Sequence, residues 1–189
     1  MNHREKRQFL IQSLLKERPE YRDLSIQAES ESQRQLLRGL MNIRAPRRMD
    51  AEFLKTQDEY LQAETAAKGI TDIDDLTPVQ PRLYLWQGDI TTLRCDAIVN
   101  AANSGMTGCY IPNHRCIDNA IHTFAGVELR LACAELMRQQ GYPEPTGQAK
   151  ITPAFNLPCR YVLHTVGPII NGRVTKADEE LLASCYRSC

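Results

Sequence analysis

Four short apolar runs lie beyond Pro81: Leu83–Trp86, Cys95–Val99, Ala149–Thr152 and Tyr161–Val166. A helical pattern over Ala120–Gln140 separates the second from the third, and another over Lys176–Cys189 follows the fourth. Runs this brief are too short for helices and have the length of buried strands. Strands alternating with longer helical segments confine the chain to an α/β architecture, in which helices are expected to cover both faces of the sheet.

Ahead of Pro81 the texture differs. Phe9, Leu10, Ile11, Leu14 and Leu15 share a helical face that Pro19 closes, and Leu36, Leu37, Leu40 and Met41 mark a second helix ending near Pro46. A third opens at Asp50, a natural N-cap, and runs to Gly69, a natural C-cap. Three short amphipathic helices hold little core alone, so residues 1–76 read as a helical extension packed on the α/β part, with no chemistry assigned. Asp72, Asp74 and Asp75 beside Thr77, Pro78 and Pro81 read as a solvated turn rather than a metal site. That makes 77–81 a linker and 82–189 the α/β domain. The stripe Leu181, Leu182, Cys185 and Tyr186 reaches Cys189 with no Gly, Asn or Pro to stop it. An α/β unit normally continues into another strand, so the C-terminal part of the fold is expected to be missing.

Charge excludes more than it suggests. The chain has 23 basic and 23 acidic residues, split 13 and 14 up to Gln80 and 10 and 9 after it. Neither part has the basic excess of a nucleic-acid or membrane-surface protein. The N-terminal MNHREKRQFLIQSLLKERPE is charged and interrupted, neither a secretory signal nor a span, so a cytoplasmic location is expected. The seven cysteines are odd in number and irregularly spaced, which in a reducing compartment favours metal ligation or catalysis over disulfides. Cys109 and Cys116 flank a histidine in sequence; the others read as small buried hydrophobes.

The residues that carry chemistry lie between Trp86 and His122. Gly88-Asp89 comes after a strand, where the aspartate either accepts from an exocyclic amine or caps a short turn at Thr91–Arg94. Asn100 and Asn103 end an apolar strand, as turn formers or as amides for sugar hydroxyls. Cys109, His114 and Cys116 place two thiols and an imidazole within eight residues. That set suits zinc, and three ligands leave a position for water or substrate, whereas a structural zinc normally has four. A reactive Cys-His pair and simple packing cysteines stand as alternatives. Asp118 and His122, four apart, share a face at a helix start, where backbone N–H groups also favour a diphosphate. His122 reads as a core residue or a support behind the ligands.

Together GDIT, DAIVNAAN, CIDNAIH, TGQAKITPAFNLPCRYVLHTVGP and the last helix resemble a macrodomain, the ADP-ribose-binding α/β fold, over Pro81–Cys189. The Cys109, His114, Cys116 loop resembles the zinc-containing microbial branch of that family, described as protein-ADP-ribose hydrolases. The resemblance implies a mixed sheet flanked by helices. By position it implies that Asp89 holds the adenine amine, Ile90 makes the adjoining backbone contact, and Asn100 and Asn103 line the distal ribose. It further implies that Ile117 and Asp118 contact the diphosphate and distal ribose, that Asn103 and Asp118 are catalytic, and that Cys109, His114 and Cys116 bind one zinc per chain. Macrodomains carry a second, Gly-rich phosphate loop beyond the helix that ends here at Cys189.

The expected function is zinc-dependent removal of mono-ADP-ribose from protein side chains, most plainly carboxylates. Lipoyl-carrier proteins modified by a partner sirtuin are the targets the resemblance implies, with no nucleic acid or membrane partner. A reader that binds ADP-ribose without cleaving it, or a zinc-stabilised interaction scaffold, would use many of the same residues.

Overall fold

The first and third of the three N-terminal helices open on side-chain caps, and all three bury an apolar stripe. In a computed structural model that describes residues 1–21 and 24–189, Asn2 opens α1 (His3–Lys16) with a reciprocal capping box to Glu5. Helix α2 spans Ser30–Ile43. Asp50 caps α3 (Ala51–Lys68) by accepting from the Phe53 N–H, as its position predicts. Leu10, Ile11 and Leu14 of α1, Leu37, Leu40 and Met41 of α2, and Phe53, Tyr60 and Leu61 of α3 make one buried cluster. Val127, from well beyond Pro81, completes it.

Two small ladders come next. β1 (Thr71–Asp72) pairs in parallel with β4 (Leu93–Arg94), while β2 (Pro78–Gln80) pairs antiparallel with β3 (Leu83–Tyr84). The stretch 77–81, read as a linker, therefore carries a strand. The run Leu83–Trp86 does not join the central sheet as expected; Leu83 and Tyr84 form an exposed ribbon instead. Asp72 accepts from the Asp74 N–H and caps a 3-10 turn, as a solvated turn would.

The central sheet has the order β5 (Ala97–Ala102), β7 (Tyr161–Val166), β6 (Ala149–Pro153), with β5 parallel and β6 antiparallel to β7. Register sets one inward row, pairing Ile98 with Val162, Asn100 with His164 and Ala102 with Val166. Helices α4 (Ile117–Ala125) and α5 (Val127–Gln140) cover that face, burying Ile121, Ala125, Leu129 and Cys133 against it. Coverage of both faces is not found among the described residues. On the other side Val99, Ile151 and Tyr161 are 44%, 55% and 39% exposed. The last helix, α6 (Lys176–Ser188), touches the sheet at one end, where the Cys185 thiol donates to the Val166 carbonyl.

The expected single helix Ala120–Gln140 is two, because Gly126 sits between them at φ 99 and ψ 175. That conformation is essentially reserved for glycine. A Cβ there would also meet Gln57 Nε2 at 2.6 Å, and Gln57 Oε1 accepts the buried Val127 N–H. Gly126→Ala should cost about 2 kcal/mol or more, read by urea unfolding.

Candidate active site

Asn100 is the one polar residue of the inward β5 row, and it is fully buried. Its Nδ2 donates to Asp118 Oδ1 at 2.8 Å and to His164 Nδ1 at 3.1 Å. His164 Nδ1 is then an acceptor, so the ring carries its proton on Nε2, 2.9 Å from Thr152 Oγ1. Burial pushes the His164 pKa down to about 4, which keeps the ring neutral. Asn103, just past the end of β5, is exposed. Its Nδ2 donates to the Gly108 carbonyl at 3.1 Å and lies 3.4 Å from Asp118 Oδ2. Asp118 is thus held from both sides by amide donors. Burial raises its carboxyl above the usual range, opposed by the Asn100 hydrogen bond and the Arg130 charge.

The second group abuts the first through a helix cap. Cys116 is the N-cap of α4, its sulfur accepting from the Asn119 N–H, and Asp118 is two residues further on. Cys109 Sγ lies 3.6 Å from His114 Nδ1, and the ligand atoms of Cys109, His114 and Cys116 all lie within 4.8 Å of one another. Burial raises the Cys116 thiol pKa, the Asn119 N–H partly offsets that, and a thiolate on Cys109 raises it further. Two thiols and an imidazole brought this close together fit a divalent soft cation.

Asp89 and Ile90 stand apart. Asp89 caps a 3-10 turn over Ile90–Thr92 through the Thr91 N–H, and its other oxygen pairs with Lys68 of α3 at 3.0 Å. Burial would raise this carboxyl, but hydrogen bonds from Thr91 and Lys68 outweigh it and hold it below the usual range. Lys68 Nζ also sits 3.3 Å over the Phe124 ring, near the last turn of α4. Asp118 is six residues earlier, so the Asp89 edge and the Asp118 end are separated by roughly 9 Å along α4.

Three features of the site are not apparent from the sequence. Lys68 and, on α2, Arg38 and Asn42 reach this region from helices to which no chemistry was assigned. Arg38 and Asn42 stand four apart beside the apolar stripe of Leu37, Leu40 and Met41, and such a polar i, i+4 pair is the one local signal that could have marked them. Cys133 is not a bare packing cysteine, since its sulfur lies 3.7 Å from His164 Nε2, and with His122 these form a second tight cluster inside the core. His164 already serves Asn100 and Thr152 there, and Arg130 places a guanidinium nearby. Burial, with His164 and Arg130, depresses the His122 pKa, so its ring 3.5 Å from Asp118 Oδ1 is a neutral core group rather than an ion-pair partner.

Residues 99–189 match the Macro domain family. Over 193 aligned residues the chain is 58% identical to the protein-ADP-ribose hydrolase of Treponema medium, covering all of this chain and 74% of that protein. The chain belongs to the macrodomain family. It is also 47% identical to the protein-ADP-ribose hydrolase of Staphylococcus aureus (strain MRSA252), over 96% of this chain and 69% of that one. A Trypanosoma brucei macrodomain solved in complex with ADP is 29% identical, with a TM-score of 0.54 over 82% of this chain and 66% of its own. The mixed α/β sheet flanked by helices is the macrodomain fold, and no helix of the described residues is long and apolar enough to cross a membrane.

The macrodomain's buried neutral histidine makes acid stability a test. His164 has a folded pKa of about 4 against 6.5 unfolded, so the unfolded chain binds more protons between those values. Stability then falls as pH drops from 6.5 and the loss is complete below 4; His164 alone accounts for about 2 kcal/mol at pH 5. Denaturant unfolding at pH 7 and pH 5 should reveal that loss, and His164→Gln should flatten it.

Proposed function

We propose that this macrodomain is a hydrolase of ADP-ribosyl bonds on proteins, acting with zinc on mono-ADP-ribose attached to acidic side chains. The observation that carries the reading is Asp118, buried and amide-held beside a Cys-Cys-His loop. Relatives at 58% and 47% identity are named protein-ADP-ribose hydrolases, which supports the same activity here.

In the proposed reaction a water oxygen bonds to the anomeric carbon while that carbon's bond to the side-chain carboxylate breaks. The carboxylate departs with its electron pair, and the water's proton is lost to a base. Asp118 is that base. Asn100 fixes its Oδ1 from below, so Oδ2 on the Asn103 side is the oxygen left to orient and deprotonate water. Asn103, exposed above it, is the amide offered to ribose hydroxyls. The N-terminus of α4, with Ile117 in its first turn, supplies positive dipole for the diphosphate. Asp89 accepts the adenine amine in exchange for its exposed pairing with Lys68. Cys109, His114 and Cys116 would hold zinc, which when bound supplies a Lewis acid that polarises oxygen and eases deprotonation of water.

Asp118→Asn should lower turnover on a glutamate-linked mono-ADP-ribosylated protein by about 10²–10⁴-fold while retaining ADP binding. Cys116→Ala should lose both zinc and turnover, again with ADP binding retained. Unchanged turnover in the metal-free protein would sink the zinc dependence. Tight ADP-ribose binding by zinc-loaded protein with no release from the modified substrate would instead make it a reader. Melting on chelation with no response to ADP-ribose would favour the scaffold.

A further inference from the structure

The metal loop is held from outside the α/β domain. His114 is exposed and comes directly after Asn113, whose φ of 55 lies in the left-handed region. Apart from its approach to Cys109 Sγ, the ring on such a loop is aimed by its backbone. That backbone is gripped by α2: the Asn113 N–H donates to Asn42 Oδ1 at 2.9 Å, and Arg38 donates to the His114 carbonyl at 3.0 Å. Arg38 also donates through Nε and one terminal nitrogen to Asn119 Oδ1, at 3.3 and 2.9 Å. This orients the Asn119 amide so that its Nδ2 donates to the Ile111 carbonyl at 3.1 Å, while its backbone N–H serves the Cys116 sulfur. The loop lies close on the helix, since a Cβ added at Gly39 would meet the Asn113 side chain at 3.4 Å and Pro112 at 3.7 Å.

We propose that Arg38 is a positioning residue for His114, so that the N-terminal helices are part of the metal site; the inference rests on the reading that Cys109, His114 and Cys116 hold zinc. One guanidinium spans two acceptors, the His114 carbonyl and the Asn119 side chain, and thereby fixes the histidine relative to the helix that Cys116 caps. An ammonium on a flexible stem cannot hold both directions at once. Asn42 fixes the preceding residue and is itself anchored, donating to Thr123 Oγ1 at 2.9 Å. Groups that orient ligands from behind typically govern metal affinity by about 10–100-fold.

The test measures zinc affinity of the full chain by competition with a coloured chelator, for wild type, Arg38→Lys, His114→Ala and the double variant. Circular dichroism of the metal-free forms checks folding, and Arg38→Met serves if the lysine variant unfolds. Arg38→Lys is expected to bind zinc about 10–100-fold more weakly than wild type. In the His114→Ala background the same change is expected to matter by less than about threefold, because Arg38 acts through His114. Losses that multiply in the double variant, or an Arg38→Lys protein that binds zinc as tightly as wild type, would overturn the proposal. If wild type takes up no zinc, or Cys116→Ala takes up as much, the metal reading fails first and separately.

Discussion

The first turn of α4 places three demands on three neighbouring residues. Its free N–H groups need acceptors, and Cys116 provides one with a sulfur rather than the usual oxygen. The Asn119 N–H favours thiolate character in that role, but burial and the neighbouring Cys109 outweigh it and leave the Cys116 thiol pKa raised. Asp118 comes next, in a position where the dipole stabilises its negative charge while burial opposes it. Asn119 completes the turn, fully buried and bonded in three directions. The carboxylate, the Cys109–Cys116 loop and the brace from α2 all meet within this one turn.

The helical extension and the α/β core share a boundary that is polar as well as apolar. Arg130 of α5 donates to the carbonyls of Asn42 and Arg44 at 2.5 and 2.7 Å, satisfying the C-terminal end of α2 that has no helical partner. Asn156 donates to Asp58 and to the Ala125 carbonyl, and Gln57 accepts from Val127. Buried hydrogen bonds are costly to leave unmade, so such an interface tolerates few alternative dockings. A greasy interface could slide by a fraction of a turn; this one fixes the height of α2 against α4. The grip of Arg38 and Asn42 on the Cys109–Cys116 loop depends on that fixed height.

Much of this was legible in sequence for local reasons. Asp50 and Gly69 mark α3 because capping depends on neighbouring residues alone. The Cys109, His114, Cys116 set and the two asparagines are visible because they are close in the chain. What stayed hidden is what register and docking decide. Whether Asn100 faces ligand or core is settled by its pairing with His164, sixty-four residues away. Lys68 and Arg38 are ordinary surface-type residues on amphipathic helices, and nothing local says what they touch. The split at Gly126 was readable in principle, yet a helical apolar period continuing across it masked the glycine.

Charge and orientation are handled separately around Asp118. The chain of contacts from Thr152 through His164 and Asn100 to Asp118 contains only neutral groups behind the carboxylate. The Asn100 Nδ2 serves both Asp118 and His164 while its Oδ1 is buried without a partner among the described residues, so the amide cannot flip without turning that oxygen toward the Asp118 carboxylate. A cationic group in the same place would lower the Asp118 pKa and weaken it in the proposed role of base. Burial keeps the Asp118 pKa raised although the Asn100 hydrogen bond and the Arg130 charge pull it down. Under the proposed mechanism such an arrangement suits a carboxylate that must be aimed yet still accept a proton, and the histidine behind it is kept from ionising by its burial.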